Sequence, residues 1–135
     1  MCLFQWSDEY SVNIAEIDKQ HQYLISLINT LHDAMREGKG NEIIESVLID
    51  LVSYLKTHFE TEEFLMRKFN FPGLTQHINE HIQFVKEVVS LEREILQGNR
   101  AVTTRTIRFL KNWVTGHIHG TDKSYGPFLN KCGVN

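Results

Sequence analysis

Proline is scarce, with two residues in a chain of 135. The residue that most strongly breaks helices therefore interrupts little of the chain, which is free to run in long helices. Cysteine is as rare: Cys2 and Cys132 lie near the two ends. That usage excludes a disulfide-built fold, and neither thiol has a second cysteine nearby with which to form a thiolate metal site. No apolar run comes near the ~20 residues of a membrane span. The opening stretch from Met1 to Glu9 lacks the cationic start and apolar core of a secretory signal, so the cytoplasm is the expected compartment. The net charge of −3 offers no basic field to a phosphate backbone, which excludes nucleic acid as a partner class. There is no low-complexity tract, internal repeat or domain-separating linker, so one domain over residues 1–135 is expected. Triad motifs, phosphate-cradling glycine loops and dinucleotide fingerprints are missing too, and the glycines fall singly between segments.

What is present is helical periodicity. Four segments carry apolar residues at three- and four-residue steps, separated by short clusters of breakers. The pattern predicts helices over about 18–38, 41–68, 75–97 and 101–119, with an arm over 1–17 and a tail over 120–135. Asp18 is a good cap for the first helix, while Gly38 and Gly120 are good stops for the first and fourth. Short connections make successive helices antiparallel neighbours. The expected fold is therefore all-α, an antiparallel up-down-up-down four-helix bundle, with a monomer as its expected state.

The seven histidines are the unusual feature. On the first helix, stepping back along the stripe Leu31, Ile28, Leu24 lands on His21. On the second, Leu48, Leu51 and Leu55 continue into His58 and then Glu62. The third runs back from Leu91, Val88 and Phe84 into His81 and His77, and the fourth leads from Leu110, Trp113 and Val114 into His117. In an antiparallel bundle those positions share one pole, and Asp122 follows His117 closely enough to reach the same place.

Taken singly, each of these histidines is more often a satisfied core residue than a ligand, and Glu62 or Asp122 alone is more often a surface or capping group. Jointly that reading fails. Seven unpaired polar side chains in one core would cost on the order of 1–3 kcal/mol each. The total rivals or exceeds the roughly 5–15 kcal/mol by which a domain is stable. Metal coordination satisfies all of them together. The remaining histidines do not fit the set: His119 faces the other way, toward solvent, and His32 lies about three turns off, toward the opposite pole.

Seven donors are too many for one tetrahedral zinc, and mostly imidazole donors are wrong for calcium or magnesium. Imidazole with carboxylate suits iron, copper or zinc, so donor type alone leaves these open. Two metals bridged by carboxylates is the economical arrangement.

Here the residues resemble a known family. Ile17-Asp18-Lys19-Gln20-His21, His58-Phe59-Glu60-Thr61-Glu62-Glu63, the pair His77 and His81, and Trp113-Val114-Thr115-Gly116-His117 through Asp122 look like hemerythrin. The likeness runs from about Trp6 to Tyr125 and is closest to single-domain bacterial members. It implies a non-haem di-iron centre, with His77, His81 and His117 on one iron and His21 and His58 on the other. Glu62, Asp122 and a solvent-derived oxygen would bridge the two, and dioxygen would bind at the open position of the iron with fewer histidines. The implied oxygen-pocket walls are Leu24, Phe59, Trp113, Val114 and Ile118, each of which also reads as plain core packing. Tyr125 matches a tyrosine often found after the bridging aspartate, with a supporting role. Val114 departs from the pattern, standing where leucine is common in the family. A shorter side chain there should widen access for water and speed oxidation.

The resemblance implies reversible dioxygen binding for storage, buffering or delivery to an oxygen-consuming enzyme, and no enzymatic activity of its own. The alternatives are a di-iron enzyme acting on peroxide or nitric oxide, and an oxygen or redox sensor module. An enzyme would need a polar channel or proton donor at the open position, where the expected walls are apolar. The segment with Tyr125, Phe128 and Leu129 either folds back on the bundle or offers a docking surface, and the sequence leaves both open.

Overall fold

The computed structural model describes residues 3–99 and 101–135, and every regular element among them is helical. A short 3-10 turn, Asp8–Tyr10, precedes α1 (Ala15–Arg36), α2 (Gly40–Lys68), α3 (Leu74–Leu96) and α4 (Val102–Asn112). A π-helical segment, Trp113–Thr121, then joins α4 directly to α5 (Asp122–Lys131), so these three make one fourth rod. α1 packs on α2 and α4, and α3 packs on the same two, which closes the four-helix bundle.

Two apolar clusters fill the interior. The larger holds Leu24, Ile28, Leu48, Leu51, Phe84 and Leu110, and the smaller Ile17, Met66, Tyr125 and Leu129. Burying each such side chain is worth about 1.5–3 kcal/mol. On every rod the polar residues singled out above lie between the two. His21 falls between Ile17 and Leu24, Glu62 between Phe59 and Met66, and Asp122 between Ile118 and Tyr125. The site is thus a polar layer with an apolar plug on either side.

Three expectations need correction. α1 begins at Ala15, and Ile14 holds the cap position with no side-chain bond. Asp18 is inside the first turn. Its carboxylate instead accepts from the Val12 N–H at 2.9 Å and the Ser11 hydroxyl at 2.6 Å, which ties the arm to the helix. α2 begins one residue early, at Gly40, and the Asn41 side chain accepts from the Thr103 hydroxyl at 2.6 Å.

The third correction concerns Gly120, which does not stop the fourth helix. Gly38 and Gly98 do end α1 and α3, with φ of 75° and 78° in the left-handed region that favours glycine. Gly120 is not among the residues with positive φ, and the chain continues through it as helix to Lys131. Residues 120–135 are therefore largely helix, a continuation of the fourth rod packed on the bundle: Tyr125 and Leu129 are fully buried, and Phe128 packs against them. Gly126 allows the close approach, since a Cβ there would stand 2.9 Å from the Val12 carbonyl oxygen. The arm is held at its other end by Asn29, whose amide donates to the Phe4 carbonyl at 2.9 Å and accepts from the Phe4 N–H at 3.0 Å. Cys132 is an exposed free thiol, and Cys2 lies outside the described residues.

Candidate metal centre

The structure brings all seven polar side chains to one place. His21, His58, Glu62, His77, His81, His117 and Asp122 are each at most 3% exposed. His58 with Glu62, and His77 with His81, are one helical turn apart, which sets each pair on one face. His117 and Asp122 are five apart, and in an α-helix Asp122 would point about 140° away from His117. The π segment removes that offset. The Asp122 N–H donates to the His117 carbonyl, a five-residue step that widens the turn and returns Asp122 to the interior.

The donor atoms fall into two groups. Glu62, His77, His81, His117 and Asp122 form one, and His21, His58, Glu62 and Asp122 the other, with atoms in each within 4.8 Å of one another. Both carboxylates belong to both groups. His77 Nε2 and His117 Nε2 lie 2.7 and 2.8 Å from Asp122 Oδ1, and His21 Nε2 lies 3.0 Å from Asp122 Oδ2. His58 Nε2 and His81 Nε2 lie 3.1 and 3.2 Å from Glu62 Oε1. Yet Nε2 of His77, His81 and His117, Glu62 Oε1 and both Asp122 oxygens make no well-directed hydrogen bond. Buried polar atoms are seldom left so. Ligands about 2.1 Å from a metal and about 90° apart stand about 3 Å from each other, which is the spacing seen here. The donor set therefore fits cations seated between the rings.

The outward ring nitrogens carry a second set of contacts that sequence reasoning missed. His58 Nδ1 donates to Gln20 Oε1 at 2.6 Å, His81 Nδ1 to Glu63 Oε2 at 2.8 Å, and His117 Nδ1 to Glu80 Oε1 at 3.1 Å. Each bond fixes the tautomer that leaves the Nε2 lone pair facing inward. Thr121 donates to the same Glu80 oxygen at 3.0 Å, and Gln20 Nε2 donates to Thr61 at 3.2 Å, so two of the three acceptors are themselves held. The available signal was adjacency: Gln20 precedes His21, Glu63 follows Glu62, and Glu80 precedes His81. Each of them, however, serves a histidine on another rod.

Aromatic faces complete the setting. Phe59 lies flat on His81 at 3.7 Å and Trp113 on His117 at 3.8 Å. Tyr54, which sequence reasoning also passed over, stacks on His58 at 5.0 Å, and its buried hydroxyl has no partner. Of the expected wall residues, Leu24, Val114 and Ile118 are fully buried, Phe59 nearly so and Trp113 partly. Tyr125 donates from its hydroxyl to Glu62 Oε2. His119 is exposed with its ring against Tyr10, and His32 is half-buried outside both donor groups.

Charge follows from burial and proximity. Burial opposes ionisation of Glu62 and Asp122, and the charge of Asp122 raises Glu62 further. The surrounding imidazoles outweigh this and hold both well below the usual carboxylate range. Burial likewise disfavours charge on His21 and His117, but Asp122 beside them keeps both above the ordinary value, whereas burial wins at His58 and lowers it. Burial and the two carboxylates push the Tyr54 and Tyr125 hydroxyls up, so both stay protonated.

Known proteins agree with this architecture. The family described as the hemerythrin HHE cation binding domain matches residues 12–129. The bacteriohemerythrin of Methylococcus capsulatus is 33% identical over 131 residues, covering 96% of this chain and 99% of the relative. A hemerythrin-like protein of Naegleria gruberi is 34% identical over 126 residues, covering 93% of both. The crystal structure of a wild-type hemerythrin superposes with a TM-score of 0.84 at 32% identity, over 94% of this chain and 98% of that one. A leucine-to-alanine variant of hemerythrin gives 0.86, at 32% identity over 96% and 98%. With a family match spanning nearly the whole bundle and a third of its residues shared with full-length relatives, the chain belongs to the hemerythrin family.

Proposed function

We propose that this protein binds dioxygen reversibly at a non-haem di-iron centre, for oxygen storage, buffering or delivery to an oxygen-consuming enzyme, and that it is not itself an enzyme. The observation that carries the reading is the sharing of Glu62 and Asp122 by two histidine groups of unequal size. His77, His81 and His117 would hold one iron, His21 and His58 the other, and Glu62 and Asp122 would bridge them with a solvent-derived oxygen. Bound there, the two ferrous ions would supply the electrons and the open coordination position that reversible dioxygen binding uses.

The rest of the work falls to the chain. Gln20, Glu63 and Glu80 keep three imidazoles turned inward before any metal arrives, which lowers the reorganisation that binding demands. Tyr125 holds Glu62 at its far oxygen and leaves Oε1 toward His58 and His81. Leu24, Val114 and Ile118 keep bulk water from the layer. With five imidazoles and only two carboxylates, the site has less anionic charge than Glu-rich di-iron bundles, which disfavours onward oxidation.

The test is spectroscopic. The purified protein is reduced without air, exposed to oxygen and then degassed, with the visible spectrum followed through repeated cycles. A coloured form that comes and goes, with two irons per chain, supports a carrier. Bleaching accompanied by turnover of peroxide or nitric oxide would assign an enzyme instead.

A further inference from the structure

Three surface grooves descend toward the polar layer, and they differ in lining. Between α1 and α2 the walls include Lys19, Asp50, Ser53 and Thr57, and the groove ends at Tyr54 and His58. Between α3 and the fourth rod they include Gln76, Asn79, Gln83 and Glu87, and the groove ends at Trp113 and His117. Between α2 and α3 the walls are mostly Val52, Leu55, Phe59, Val85, Val88 and Val89; of the four charged residues that also line it, Lys56 and Glu60 are exposed and Glu63 and Glu92 half-buried. That groove encloses about 350 Å³. It is about ten times the ~30 Å³ a small molecule such as water takes up in liquid.

We propose that the α2–α3 groove is a binding site for small apolar gases and the port by which dioxygen reaches the centre. A gas without hydrogen-bonding groups settles where water is held least. Side chains such as Asp50, Ser53 and Gln83 retain water by hydrogen bonds, whereas valine and leucine walls do not. The floor of the groove leads directly inward. Phe59 is 7% exposed at that floor, its face lies on the His81 ring, and its centroid is 5.8 Å from that of His58. One ring thus separates the groove from histidines of both donor groups. Rotamer motion of Leu55 or Phe59 would let a diatomic molecule past. The physiological ligand rests on the dioxygen-binding reading, but the affinity of the groove for an apolar gas does not.

Crystals of the protein as purified, pressurised with xenon, should show xenon between Leu55 and Val88, and Val85→Trp should abolish it. Val85 is exposed at the mouth, so the larger ring closes the groove without entering the core. In the iron-loaded protein Val85→Trp should slow both oxygen association and oxygen release, leaving affinity unchanged. The expected slowing is about tenfold, the size a modest added barrier produces. Ser53→Trp and Gln83→Trp, at the other two grooves, should keep the rates of the parent. Xenon absent from the groove overturns the site, and unchanged oxygen rates in Val85→Trp overturn the port. A protein that failed to bind oxygen reversibly would end the functional reading alone, and the xenon density would still decide this one.

Discussion

The Tyr125 hydroxyl donates to Glu62 Oε2 across 63 positions of chain, from a helix that begins at Asp122 to the last third of α2. The two carboxylates common to both histidine groups are thereby linked through one turn of α5: Asp122 lies in its first turn and Tyr125 in the next contact inward. Losing that donor leaves a buried carboxylate oxygen without a partner. Tyr125→Phe is expected to lower stability by about 2 kcal/mol, the scale of a hydrogen bond to a charged group. It should also weaken iron retention. Urea unfolding and iron content after dialysis measure the two, and a variant as stable as the parent would remove the link.

Val114 is fully buried in the wall beside the histidines. The larger side chain of Val114→Leu should exclude water more completely and slow oxidation to the inert diferric form. The decay of the oxygenated spectrum in air is the measurement, and equal rates in the two proteins would dispose of the idea.

Glu80 holds His117 and Thr121 together. Truncating it in Glu80→Ala should free the imidazole to rotate and cost about 10–100-fold in metal affinity, as removal of such supporting partners does. Competition against a chelator reports this. Because Glu80 is half-exposed, stability of the metal-free protein should change little.

Gly126 has backbone, not a flexible side chain, where its Cβ would go. Gly126→Ala should therefore push the arm away at Val12 and destabilise the fold by about 1–3 kcal/mol, the range for overpacking. A thermal midpoint at or above that of the parent would show that the arm can move freely.

The pH response should invert with metal. Glu62 and Asp122 have lowered folded-state pKa values, so their contribution is present above the ordinary carboxylate range and is lost only in strong acid. His21 and His117 are raised, so theirs is full below 6.5 and is lost as pH rises through the raised values. His58 is lowered and works in the opposite sense. The metal-free protein should thus lose the stability that His21 and His117 contribute as pH rises above 6.5. With metal bound the imidazoles must be neutral, and stability should rise over the same interval. Urea midpoints with and without chelator decide it, and parallel curves would refute the charge assignment.

How much of this was legible in advance depends on the range over which each feature is determined. The four rods, the stop at Gly38 and the inward faces of His21, His58, His77, His81 and His117 follow from spacing within single segments. Leu24, Ile28 and Leu31 already placed His21 on a core stripe. Local pattern misled where a distant partner competed with it. Asp18 looks like a cap until the arm supplies Ser11 and Val12 as alternative donors. Gly120 looks like a stop, but ending the rod there would forfeit the burial of Tyr125 and Leu129 and leave Asp122 off the His117 face.

By itself the order of residues determined that five imidazoles and two carboxylates point inward at one level of a helical bundle, because side-chain direction on a helix repeats every few residues and needs no neighbour to set it. Only the packed bundle decided which outward group steadies which ring: Gln20 serves His58, Glu63 serves His81 and Glu80 serves His117. Those pairings depend on how far each rod is rotated against the next. That rotation is set by the fit of side chains from two apolar clusters far apart in the chain, and no spacing within one helix encodes it.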